Sequence, residues 1–297
     1  MKDRVSESGV IEDRELAEYY SLMAKRYMRI PCQRVLSRIK AKGIEKGKAL
    51  DVGTGPGIFP IFLSKALPEI QFKGIDLSPV MVEISRKNAI EAGIRSEIDT
   101  FDGAKPRFLN RGNGSTSLST GSRPRVYRRG SPSQAESREK CRSVSTLSIP
   151  RAPVLNEVEG SDRGVEWVDF QVGSAYSLPC EDHSLDLLLC INTLHHLDQP
   201  VTFFNEVARA LKEGGGFVIV DFHRDSSPFL IWGFNVLWKL FFKSHPKAKE
   251  GFLESIRSSY TLEECRNFLK ESRLKNWTLS TRTVEMWIES TPAQNIG

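Results

Sequence analysis

Between Leu50 and Gly57 the chain reads Leu-Asp-Val-Gly-Thr-Gly-Pro-Gly: an apolar strand closing on an acid, then glycine at every second position. Alternating glycines let the backbone turn tightly and come within contact distance of a ligand. An apolar run, Ile58 to Leu63, follows and predicts a helix. The first strand-to-helix turn of an α/β sheet is where nucleotide-like cofactors sit. A second acid, Asp76, closes the next apolar run, Phe72-Lys73-Gly74-Ile75, in position to hydrogen-bond a ribose diol.

The rest of the chain supports a sheet of this kind. Strands are predicted at Ala49–Gly53, Phe72–Leu77, Val165–Val172, Leu185–Ile191 and Phe217–Asp221, with closing strands at Trp277–Ser280 and Glu285–Ile288. The unbroken apolar run Leu185–Ile191 has the character of a central parallel strand covered on both faces. Between them lie helical patterns. Glu15–Ile44 is punctuated by Pro31, and Phe59–Ala66 follows the first strand. Ser78-Pro79 gives an N-cap and first-turn proline for a helix to about Ala92. Asp198 and Pro200 open a helix to Lys212, which Gly214-Gly215-Gly216 ends, and Thr261-Leu262-Glu263-Glu264 is a capping box. Strand–helix alternation predicts an α/β, doubly wound, mostly parallel sheet, closed here by an antiparallel hairpin.

The pattern fails from 103 to 164, a stretch rich in Ser, Arg, Gly and Pro. It holds too few large apolar side chains to offset its ordering entropy by burial, so a disordered basic insertion is expected. Three parts result: residues 1–102, the insertion at 103–164, and 165–297. From Gly103 to Arg163 there are twelve Lys/Arg against five Asp/Glu, which leaves the remainder slightly acidic although the whole carries +5. The basic balance therefore describes one segment and is weak evidence for a nucleic-acid partner. Five scattered cysteines without C-x-x-C spacing suggest neither a zinc site nor a disulfide framework. Met1–Arg14 is charged and lacks an apolar core, so a reducing, cytoplasmic compartment is expected.

The glycine spacing discriminates between cofactors. Asp51-x-Gly53-x-Gly55-x-Gly57 is not the G-x-G-x-x-G of dinucleotide sites, and an acid before the first glycine would repel a pyrophosphate. A cofactor with a cationic centre and an amino-acid tail would be welcome there. With Gly74-Ile75-Asp76-Leu77-Ser78, Gly173-Ser174-Ala175-Tyr176, Asp186–Leu197 and Ala210–Gly216 in the same order, the chain resembles a class I S-adenosylmethionine-dependent methyltransferase over about Ala49–Asp221. The ubiquinone/menaquinone-biosynthesis C-methyltransferases are the nearest group, loosely. The resemblance implies a seven-stranded Rossmann-like fold and S-adenosyl-L-methionine as cofactor. It places Gly53, Gly55 and Gly57 beside the methionine and ribose portions, with Asp51 supporting the loop. Asp76 takes the ribose hydroxyls, Leu77 and Met81 pack on adenine, and Ser174 and Ala175 lie at the adenine edge. Asn192 lines the reaction side. The family usually has Asp where Ser174 stands, which implies weaker cofactor binding.

On the acceptor side, Ser227-Pro228 opens a strongly apolar helix to Lys243, stopped by His245-Pro246, within a 227–260 region expected to cover a small hydrophobic acceptor. Asn235, Lys239 and Lys243 form one narrow polar stripe. The helix is too short to span a bilayer, and its 228–243 stretch suits a lid, a buried helix or a peripheral membrane contact. Glu254-Ser255-Ile256-Arg257 is similar to a stretch of the quinone C-methyltransferases, which implies Arg257 as an acceptor-side group. His195, His196 and His223 stand near strand ends as candidate bases, and no metal cluster is evident. Methyl transfer to a small quinol- or phenol-like acceptor is expected. Two alternatives stay open: a catalytically weak cofactor-binding module that recruits a partner through the basic insertion, and a nucleic-acid methyltransferase.

Overall fold

A computed structural model describes residues 4–6, 10–94, 167–242 and 247–291. The basic stretch at 103–164 and the expected stop at His245-Pro246 lie outside the described residues. One seven-stranded sheet carries the fold: β1 (Lys46–Val52), β2 (Glu69–Asp76), β3 (Val168–Val172), β4 (Leu185–Ile191), β5 (Leu211–Phe222), β6 (Trp277–Arg282) and β7 (Glu285–Ser290), in the order β3-β2-β1-β4-β5-β7-β6. The first five strands are parallel, while β7 runs antiparallel to both β5 and β6. The expected doubly wound sheet and closing hairpin are both present.

Helices cover both faces of the sheet. On one face lie α2 (Arg29–Ala41), α3 (Ile58–Ala66) and α4 (Pro79–Glu91), whose Val35, Ile39, Leu63 and Val82 meet Ala49, Phe72, Leu187 and Leu189 of the sheet. On the other lie α5 (Pro200–Ala210) and α8 (Leu262–Glu271), whose Phe203, Phe204, Val207 and Leu269 meet Leu50, Leu188, Cys190 and Ile219. Successive residues of β4 thus serve opposite cores, and Leu187 through Cys190 are fully buried. This is why the strand reads as an uninterrupted apolar run. Each fully buried phenylalanine contributes about 2–3 kcal/mol of transfer free energy.

Several boundaries move. The predicted Glu15–Ile44 helix is two, α1 (Arg14–Tyr27) and α2, which meet at Met28. Pro31 falls in the first turn of α2, where its missing N–H has no helical acceptor to lose. The glycines at 214–216 do not separate a helix from a strand. α5 stops at Ala210, and β5 already pairs at Leu211 with Leu185 and again at Gly216 with Leu187, across a register shift. Asp198 does not cap α5, because Gln199 occupies that position; Asp198 accepts instead from Arg4 Nη1 at 2.9 Å and Ser6 Oγ at 3.0 Å. Ser78 and Thr261 do cap their helices, and Thr261 and Glu264 form the full reciprocal box. The 227–260 region holds α6 (Pro228–Phe241) and α7 (Gly251–Ser258). Among the described residues no helix is long and apolar enough to cross a membrane.

Candidate functional site

Parallel strands present their carboxyl ends on one edge, and the order reverses at β1, which has β2 on one side and β4 on the other. Loops diverge there and leave a crevice. A cavity of about 790 Å³ occupies it. Its walls come from the ends of β1 (Asp51 to Gly55), β2 (Asp76, Leu77), β4 (Ile191 to Thr193) and β5 (Val220, Phe222), and from the loop after β3. The volume lies in the range of small-molecule sites.

The glycine loop forms the floor. Gly53 has φ +70°, and a Cβ there would stand 2.2 Å from Thr193 Cγ2, so β1 and β4 come together only because that side chain is missing. Asp51 is 2% exposed, and its carboxylate accepts from Thr54 Oγ1 at 2.7 Å. Burial pushes its pKa up to about 7, with the hydroxyl partly offsetting the rise and Asp76 adding to it. Asp76 ties the loop from the next strand, accepting from Gly55 N at 2.8 Å and Ser78 N at 2.9 Å. Burial raises its pKa as well, against those backbone donors. Two bonds leave lone pairs on this half-buried carboxylate for a further donor.

Leu77, Met81, Ser174, Ala175 and Asn192 all line the same cavity. Leu77 is 56% exposed, an apolar side chain held at the mouth without a core to fill. Met81 is 5% exposed and also packs with Ala17 and Ile84. Ser174 Oγ accepts from Tyr176 N at 3.1 Å, so its hydroxyl first closes its own turn and keeps its proton to donate. Asn192 is left-handed, φ +53°, and its N–H continues the ladder to Val220 O at 2.8 Å.

Beside Asn192 the chain makes one 3-10 turn, Leu194–His196, which brings two imidazoles to the cavity wall. His195 Nδ1 lies 2.7 Å from Asp221 Oδ1, and His195 N donates to Asp221 Oδ2 at 2.8 Å. Asp221, the penultimate residue of β5, has no exposed surface and also accepts from Phe222 N at 2.7 Å. A carboxylate can only accept, so Nδ1 carries the proton and Nε2 the lone pair of the neutral ring. The His196 ring lies tilted against that of His195, centroids 4.0 Å apart, and burial lowers its pKa to about 3. Arg4 fastens the N-terminal segment over this corner through His195 O at 3.0 Å, Ser258 O at 2.7 Å and the Tyr260 ring at 4.5 Å.

Three expected site residues do not reach the cavity wall. Gly57 sits behind it, where a Cβ would meet Phe170 and Ser85 at 2.8 Å; its role is to let α3 close on the sheet. His223 is buried one turn away, with Nε2 3.1 Å from Ser226 Oγ. Arg257 lies on the exposed side of α7, while Phe252 and Ser255 of the same helix face the cavity. Two contributions escaped the sequence reading. One is Asp221, legible only as the acid that ends the fifth strand. The other is the hairpin tip, where Arg282, Thr283 and Glu285 close one side. Among the described residues no cluster of His, Cys, Asp or Glu could hold a metal ion.

Two family models, each described as a methyltransferase domain, match residues 49–114 and 139–219. The uncharacterized methyltransferase YcgJ of Bacillus subtilis is 34% identical over 134 residues, 44% of this chain and 50% of that protein. The ubiquinone/menaquinone biosynthesis C-methyltransferase UbiE of Rubrivivax gelatinosus is 34% identical over 118 residues, 38% of this chain and 46% of that one. The chain thus spans about half the length of these curated relatives. A crystal structure from Methanococcus maripaludis, assigned as an S-adenosyl-L-methionine-dependent methyltransferase, superposes with a TM-score of 0.56 at 18% identity, over 99% of this chain and 100% of that one.

Proposed function

We propose that the chain is a class I S-adenosylmethionine-dependent methyltransferase that transfers a methyl group to a small, apolar, quinol- or phenol-like acceptor, a reading supported by the two methyltransferase-domain matches. The observation that carries the reading is Asp51. Its carboxyl is buried at the base of the glycine loop, beside a hydroxyl, with its pKa raised to about 7. A cationic ligand would restore the charge that burial opposes, whereas an anionic one would oppose it further. The residues therefore fit a cofactor that carries an ammonium and a sulfonium. Asp51 and the Gly53–Gly55 backbone would hold the amino-acid end, Asp76 the ribose diol, and Leu77, Met81 and Ala175 the adenine.

When bound, S-adenosylmethionine supplies a methyl group already activated on a sulfonium sulfur. The protein then has to align the acceptor, exclude water and remove a proton. Phe222, Phe234, Leu237, Trp238 and Phe252 give the acceptor side an apolar wall that would desolvate a phenolic ring. His195 is the proton acceptor in this reading, and Asp221 positions it by fixing its tautomer and stabilising the imidazolium. The similarity to a quinone-biosynthesis C-methyltransferase supports a quinol-like acceptor, because the same base would serve a ring carbon activated by an adjacent phenolate.

Calorimetry with S-adenosylmethionine, followed by turnover on a short-chain quinol, tests the proposal. His195→Gln and Asp221→Asn should leave cofactor affinity intact and lower turnover about 10²–10⁴-fold. A folded protein that does not bind the cofactor would overturn the assignment, and full turnover in His195→Gln would remove the base.

A further inference from the structure

α6 is apolar on two opposite faces. Phe234, Leu237, Trp238 and Phe241 line the cavity. Half a helical turn away, Phe229, Trp232, Val236 and Leu240 form a second stripe at spacings of three and four, exposed by 75%, 63%, 41% and 62%. No residue of the helix is buried, and Lys239 is its only charge. Asn235 and Lys239, the latter paired with Glu250 at 2.8 Å, leave only one narrow polar edge, and apolar faces on either side of such an edge belong where they are shielded from water. One side, with Phe234, Leu237 and Phe241 38%, 45% and 38% exposed, faces the cavity.

The surroundings indicate what shields the other. From Tyr19 to Ile44 the sequence has seven Lys/Arg and no Asp/Glu. Lys25, Arg34, Arg38 and Lys42 meet Glu91, Glu285 and Glu289. Arg26 and Arg29 are exposed and have no carboxylate partner among the described residues. The Tyr27 ring, 4.5 Å from that of Phe241, brings this cationic corner to the last turn of α6, on its cavity side. Leu22 and Ile30, 56% and 61% exposed, add bare apolar surface on the same two helices. We propose that the Phe229–Trp232–Val236–Leu240 face of α6, flanked by Arg26 and Arg29, docks on an anionic lipid bilayer, with the aromatic stripe at the acyl boundary and the arginines at the headgroups. Fourteen residues cannot span a bilayer but can lie along its surface. An apolar acceptor dissolved in that bilayer would then have only α6 between it and the cavity. That consequence rests on the methyl-transfer reading; the docking does not.

The test is co-sedimentation of the full chain with vesicles of phosphatidylcholine alone and with roughly 30% phosphatidylglycerol. Wild type should bind the anionic vesicles about tenfold tighter or more, and lose the preference near about 0.5 M salt. Trp232→Ser/Leu240→Ser should weaken binding about tenfold or more, because two large side chains no longer insert. Arg26→Glu/Arg29→Glu should abolish the preference for anionic lipid. All four side chains are exposed, so unchanged thermal unfolding separates lost docking from lost fold. Wild type that ignores both vesicles, or stripe variants that bind as wild type does, would overturn the proposal. So would a wild-type dimer that the stripe substitutions convert to monomer without any vesicle binding, since that face would then join two copies.

Discussion

Asp51 makes cofactor binding a proton-release reaction. In the free protein its carboxyl titrates near pH 7, because burial opposes its charge and the Thr54 hydroxyl compensates only in part. An ammonium brought beside it should return the pKa toward the ordinary carboxylate value of about 4. The shift of about three units is equivalent to a coupling free energy on the order of 4 kcal/mol, or about a thousandfold in Kd, as a ceiling. Three outcomes follow. Affinity should be flat above pH 7 and weaken about tenfold for each pH unit below it. About half a proton should be released at pH 7, seen by calorimetry as a heat that scales with buffer ionisation enthalpy. Asp51→Asn should bind between about tenfold and a thousandfold more weakly at pH 8 and lose the pH dependence. A wild-type affinity that is constant from pH 5.5 to 8 (roughly the span over which the proton would be lost), with no buffer-dependent heat, would refute the reasoning.

Other parts of the molecule give equally specific outcomes. Gly53→Ala places a methyl group 2.2 Å from Thr193 Cγ2 at a left-handed φ and should cost about 2–3 kcal/mol in urea unfolding, with loss of cofactor binding. His196 refuses a proton in the folded state until about pH 3, whereas the unfolded chain accepts one near 6.5. Its contribution is therefore complete above pH 6.5 and declines as pH falls toward 3, by at most about 1.4 kcal/mol per unit. Asp51, whose folded pKa is raised, acts in the opposite sense over part of that window, so the His196 effect is read as the difference between wild type and His196→Phe at pH 7 and pH 5 (about two units apart). Glu264→Ala removes both the capping box of α8 and the partner of Arg224, whose side chain is 2% exposed, and should cost about 2–3 kcal/mol. Glu264→Gln, which keeps an acceptor for Thr261 N, should cost less.

Much of the cofactor side was legible before any tertiary structure. Asp51 meets Thr54 within one turn of chain, Asp76 reaches Gly55 from the end of the adjacent parallel strand, and Ser78 and Thr261 cap the helices that follow them. The acceptor side was not. Arg257 was placed by similarity of a short stretch, but the phase of α7 turns Phe252 and Ser255 inward and leaves Arg257 outside. Gly57 fits the glycine alternation, yet its missing Cβ serves the packing of α3 against Phe170 rather than the crevice. Both misplacements come from reading spacing along the chain where orientation about a helix or a sheet decides.

What the amino-acid order determined by itself is whatever depends on near neighbours: the strand-turn-helix at Leu50–Ile58, the second acid, the apolar strands, and hence the sheet and the class of ligand at its edge. What only the assembled fold decided is which distant groups face one another. His195 and Asp221 are 26 residues apart and meet because β4 and β5 are adjacent in a fixed register. α1, α6 and the hairpin tip share one cavity because the strand order delivers them to the same edge. The physical reason is that turn and capping energies are set by a few consecutive residues, whereas a catalytic pair or a cavity wall depends on sheet order, register and helix phase, which belong to the packing of the whole chain.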